Sequence, residues 1–100
     1  MADQKITDAS YLVPKKRGNG LVRHEVWIDH SGRVTHYNLA YINHSVFQKD
    51  NGRAVGYDNA HDGHHRHYLG NVETIIFTTF DDIEECFQHD WMALTLGEKA

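Results

Sequence analysis

The sequence has a single cysteine, no long apolar run and no excess of positive charge, and each absence removes a class of protein. Cys86 alone can close no internal disulfide and supplies no cysteine-based zinc site. No stretch of about eighteen apolar residues occurs, so no transmembrane helix is expected. The opening residues carry no apolar signal segment, which makes a reducing cytoplasm the expected location. A formal charge of -4 and a pI near 6.1 argue against a surface that holds nucleic acid by bulk positive charge, although Lys15, Lys16 and Arg17 could still contact phosphates. There is no glycine-rich phosphate loop followed by lysine, no nucleophile elbow, no dinucleotide fingerprint and no internal repeat.

What is present is the patterning of one small domain, since 100 residues suffice for one modest core. Residues 1–20 mix small, polar and basic side chains around Tyr11-Leu12-Val13, a triplet ended by Pro14, and read as a loose basic arm. From Leu21 the period becomes two, with Val22, Val26 and Ile28 on one side and Arg23, Glu25 and Asp29 on the other beside Trp27. After the turn His30-Ser31-Gly32, alternation places Tyr37, Leu39 and Tyr41 on one face of a second strand and Val34, Ala40 and Ile42 on the other. Asp50-Asn51-Gly52 marks another turn before a short strand Ala54–Tyr57, and the β-branched and aromatic run from Val72 to Phe77 suits a further strand.

Thr79 is placed to cap a helix, with Asp81, Asp82, Glu84 and Glu85 in its first turns and Ile83, Phe87, Trp91 and Leu94 along one side. The expected architecture is α+β: an antiparallel meander of about four strands with one C-terminal helix, from Phe80 to about Leu94, packed on one face. The domain is expected to run from 21 to 96. Strands with large residues on both sides cannot be covered by one helix, so a homodimer is expected to shield the second face.

Chemistry concentrates between Gly56 and Gly70, where four of nine histidines fall within seven positions, His61 to His67. If His64 to Tyr68 is extended, His65 and His67 project to one side, roughly 6 to 7 Å apart at Cα, while His64 and Arg66 point to the other. Two imidazoles so placed could bracket a phosphate. Cleavage of RNA by its own 2′-hydroxyl needs a base, an acid and a cation, and His65, His67 and either Arg66 or His64 supply all of these without a metal. Asp58 or Asp62 could orient one ring through the other nitrogen. Tyr57 and Tyr68 could stack on a base, and Asn59 and His61 complete the candidate substrate contacts. The same residues offer a rival use, in which His-x-His and a third ligand from His61 or an aspartate hold zinc or a harder divalent ion.

The pieces Asn51-Gly52, Gly56-Tyr57-Asp58-Asn59-Ala60-His61, His64-His65-Arg66-His67 with Gly70, and Phe77-Thr78 before an acidic amphipathic helix together resemble the TumE-type toxins of bacterial toxin-antitoxin pairs. The likeness spans about residues 21 to 95, and its specific part is Tyr-Asp-Asn-Ala-His with His-His-x-His. It implies a cytoplasmic toxin with a cognate helix-turn-helix antitoxin as partner. The family supplies a role rather than a reaction, so the ribonuclease reading rests on the residues themselves, and the alternative to it besides a metal site is a non-enzymatic module that binds an antitoxin or nucleic acid. The Lys15-Lys16-Arg17 arm is not part of the resemblance.

Overall fold

Residues 3–60 and 63–96 are described by the structure, a computed structural model. Six strands form: β1 (Gln4–Leu12), β2 (Leu21–Ile28), β3 (Val34–Ile42), β4 (Arg53–Asp58), β5 (His65–Tyr68) and β6 (Asn71–Thr74), followed by the helix α1 (Phe80–Leu96). Each strand pairs antiparallel with the next, giving one sheet in the order β1-β2-β3-β4-β5-β6. The α+β meander with a helix on one face is therefore the fold, with six strands rather than about four.

The first additional strand lies in the segment read as a loose arm. Gln4–Leu12 is mostly exposed and has no apolar alternation of its own to announce it. Its pairing with β2 is accompanied by charged partners across the strands: Lys5 Nζ donates to Glu25 Oε2 at 2.8 Å, while Arg23 reaches Ser10 Oγ at 2.7 Å and Asp8 Oδ1 at 3.1 Å. The basic residues Lys15–Arg17 form a single 3-10 turn between β1 and β2. That connection is tied down by Tyr41, whose hydroxyl donates to the Asn19 carbonyl, and by Asn43 Nδ2, which donates to Gly18 O at 3.1 Å. Gly18 has a φ of +117°, and a Cβ there would stand 2.3 Å from Thr95 Cβ in the last turn of α1, so both conformation and space require glycine.

The second additional strand is the histidine segment itself, β5. The strand expected from Val72 to Phe77 is shorter, ending at Thr74; Ile75 N–H then donates to His64 O at 2.9 Å, and the chain leaves the sheet toward the helix. Thr79 Oγ1 accepts from Asp82 N–H at 3.1 Å and so caps α1, with Asp81 and Asp82 in the first turn.

One face of the sheet meets this helix. Tyr37, Leu39, Tyr41, Val55 and Tyr57 are buried against Ile83 and Phe87, and Trp91 stacks on Tyr41 with 5.2 Å between ring centroids. The opposite face is mixed, with Trp27, Ala40 and Val72 beside a polar row. Its central row crosses all six strands through the pairings Asp8–Glu25, Glu25–Asn38, Asn38–Asp58, Asp58–His65 and His65–Thr74. Among the described residues, no helix is long and apolar enough to cross a membrane.

Candidate active site on the open face of the sheet

Alternation along β5 sorts the histidine segment onto two faces. His65 pairs with Asp58 and His67 with Gly56, which sets both imidazoles on the open face, whereas Arg66 pairs with Tyr57 on the helix side. Asp58, the last residue of β4, stands between the two rings: its Oδ2 accepts from His67 Nε2 at 3.0 Å, and its Oδ1 lies 3.9 Å from His65 Nδ1.

The cation beside these groups is Arg53, at the start of β4. Its Nη1 donates to Asp58 Oδ2 at 3.4 Å, Nη2 lies 3.2 Å from His67 Nδ1, and Nε donates to Asp50 Oδ2 at 2.8 Å. A guanidinium only donates, so His67 Nδ1 accepts and its proton sits on Nε2, toward the carboxylate. Asp58 thus orients His67, and Arg53 occupies the nitrogen left over. His65 is different, because no hydrogen bond among the described residues engages its Nε2.

Arg53 reaches this position by crossing Gly56. A Cβ on residue 56 would stand 2.7 Å from Arg53 Cδ, so the missing side chain is the space through which the guanidinium passes. Arg53, Asp58, His65, His67, Ala60 and Val72 line an open concavity of about 430 Å³.

The remaining candidates are placed elsewhere. Arg66 Nε donates to Asp90 Oδ2 of α1 at 2.7 Å and Nη1 to Glu73 Oε1 at 3.2 Å, with the guanidinium 4.5 Å from the Tyr68 ring centroid; the bond to Asp90 raises its already high pKa. It does not share the face of His65 and His67. Tyr57 is buried on the helix side and donates to Asp90 Oδ2 at 2.6 Å, burial and that bond both holding its hydroxyl protonated. Neither it nor Tyr68 stands beside the imidazoles to receive a base there. Asn59 joins β4 to β3, its Oδ1 accepting from Tyr37 N–H at 3.0 Å and its Nδ2 donating to Thr35 O at 2.7 Å.

His64 lies between two rings, 4.4 Å from Phe77 and 5.6 Å from Tyr37 by centroid, and its Nδ1 is 2.8 Å from the Tyr37 hydroxyl. Burial lowers its pKa, with nearby His65 adding to the effect. The Tyr37 pKa is pushed up to about 12 by burial and Asp58, so Tyr37 donates and His64 Nδ1 accepts. A neutral, stacked imidazole is a poor substitute for a phosphate-binding cation. His61 and Asp62 lie outside the described residues.

Among the described residues, no three His, Cys, Asp or Glu side chains converge to hold a metal ion. Asp58 and His67 instead face each other and Arg53. Arg53 is the residue that sequence reasoning missed. Its signal was faint: an arginine three positions before a strand glycine, with a carboxylate two positions beyond. Compared with protein families, curated proteins and solved structures, the chain matches none.

Proposed function

We propose that this chain is the toxin of a bacterial toxin-antitoxin pair, resembling the TumE type, and acts as a small ribonuclease whose reacting groups lie on the open face of the sheet. The observation that carries the reading is the gathering of His65, His67 and Arg53 around Asp58 beside an open concavity. A phosphate entering there competes with Asp50 and Asp58 for Arg53, and transfer of the guanidinium to the phosphate frees His67 Nδ1. One of the two histidines then takes the 2′-hydroxyl proton as O2′ bonds to phosphorus. The other gives a proton to the departing 5′ oxygen, leaving a 2′,3′-cyclic phosphate and a 5′-hydroxyl.

The same reading includes a cognate helix-turn-helix antitoxin and self-association. The edge strand β1, with Ile6, Tyr11 and Leu12 exposed, is the surface for pairing with a second copy.

The test compares RNA cleavage and growth arrest by the wild type, His65→Ala and His67→Ala, each with and without EDTA. Cyclic-phosphate products that persist in EDTA and vanish in both variants are the expected result. Loss of activity to chelator in the unsubstituted protein would transfer these residues to the divalent-metal alternative. Toxicity that survives both substitutions would remove the histidines from the reaction.

A further inference from the structure

Beside the histidines, the open face carries a second concavity that the reaction above does not use. It measures about 470 Å³ and is lined by Trp27, His36, Asn38, Arg53, Asp58 and Asn59, with Ala60 at its junction with the first. Arg53, Asp58 and Ala60 line both hollows, so the two are adjoining compartments with the Arg53–Asp58 pair between them.

The chemistry of this compartment differs from that of its neighbour. Trp27 stands on the open face, apart from the helix-covered core, with the His36 ring edge-on at 6.2 Å and Lys5 Nζ at 5.0 Å from the indole. Asn38 donates through Nδ2 to Glu25 Oε1 at 3.0 Å, which fixes the amide and leaves Oδ1 as an acceptor that no hydrogen bond engages among the described residues. The carboxylate in the lining, Asp58, is already paired with Arg53 and His67, so a metal cation gains little here. An aromatic wall, a fixed acceptor and an adjoining cation suit a flat heterocycle carried on a phosphate.

We propose that this second concavity is a nucleobase subsite: the base next to the phosphate lies against Trp27 and presents an exocyclic amine, as adenine and cytosine do, to Asn38 Oδ1. The proposal rests on the reading of the histidine compartment as the phosphate site. It makes Trp27 and Asn38 specificity-determining residues. The base belongs either to an RNA strand or to a free nucleotide, and binding measurements separate the two.

The experiment titrates the full chain, by calorimetry or NMR, with 5′-AMP, 5′-UMP, ribose 5-phosphate and a 2′-deoxyadenosine dinucleotide that cannot be cut. AMP should bind about tenfold more tightly than ribose 5-phosphate, because stacking is the contribution that the sugar phosphate lacks. That gap should close in Trp27→Ala and survive in Trp27→Phe, and the preference for AMP over UMP should shrink in Asn38→Ala. A dinucleotide that binds more tightly than AMP supports the subsite as part of a strand-binding groove; equal affinities support it as a free-nucleotide site. AMP and ribose 5-phosphate binding alike to the wild type would overturn the subsite, a comparison that needs no variant to fold. Trp27-dependent AMP binding without RNA cleavage would sink the ribonuclease reading and keep the subsite. Cleavage at an unchanged rate in Trp27→Ala, with AMP and ribose 5-phosphate indistinguishable, would do the opposite.

Discussion

Arg66 turns its guanidinium away from the two histidines that flank it and pairs with Asp90 of α1, Nε to Oδ2 at 2.7 Å, while the Tyr57 hydroxyl donates to the same oxygen at 2.6 Å. Both charged side chains are largely shielded, so this contact ties β5 to the helix rather than presenting a cation to substrate. Arg66→Ala or Asp90→Ala should destabilise the fold by about 1 to 3 kcal/mol, because each leaves a partner polar group poorly satisfied. Denaturant unfolding of both single variants and the double variant reads the coupling. Stability unchanged in Arg66→Ala, with activity abolished, would return this arginine to the reaction.

Gly56→Ala tests the path of Arg53. The added methyl would meet the flexible Arg53 side chain and displace it from Asp58 and His67, with little backbone to disturb. Cleavage should fall about tenfold, the equivalent of one lost charged contact of roughly 1.4 kcal/mol, while the thermal midpoint moves by only a few degrees. An active Gly56→Ala protein would show that Arg53 need not lie where it does.

A different outcome is expected at Gly18. There the new Cβ would press on Thr95 while the backbone stays at a φ that alanine resists, so Gly18→Ala should cost about 2 kcal/mol or more. Equilibrium unfolding measures this directly, and a cost below about 0.5 kcal/mol, the range of ordinary surface changes, would mean that the loop and the helix end are not in contact.

The stack of His64 between Tyr37 and Phe77 makes stability depend on acidity. Burial first, and then His65, lower the His64 pKa from its ordinary 6.5, so the unfolded chain binds this proton more readily than the folded one. Its contribution is therefore fully present above pH 6.5 and is lost as the pH falls below that value, toward the folded pKa. NMR should find a His64 midpoint below 6.5, and His64→Phe should flatten stability in that window. A midpoint at or above 6.5 would contradict the buried, neutral ring.

How much of this was legible depends on which physical signal each part used. β2, β3 and α1 announce themselves because each buries one side: Val22 and Val26, then Tyr37, Leu39 and Tyr41, and Ile83 with Phe87 keep the period of their element. The opposite facing of His65 and Arg66 follows from the same alternation. β1 was silent because Gln4–Leu12 is mostly exposed and its charged partners, Arg23 and Glu25, lie on another strand. Arg53 was hidden for a related reason. Its role depends on a cross-strand neighbour, His67, and on an absent side chain at Gly56, neither of which has a local pattern.

The contact between Gly18 and Thr95 also bears on how the chain folds. In a meander every strand pairs with its successor, so the sheet can assemble hairpin by hairpin with short loop closures. The meeting of the first connection with the last turn of the helix joins opposite ends of the described chain, and it forms only once α1 has docked. If the sheet forms before α1 docks on it, this contact is absent from the transition state. Loosening Gly18 against Thr95 should then leave the refolding limb of a chevron in place and raise the unfolding limb, so that this seam governs how long the folded protein lasts rather than how fast it forms.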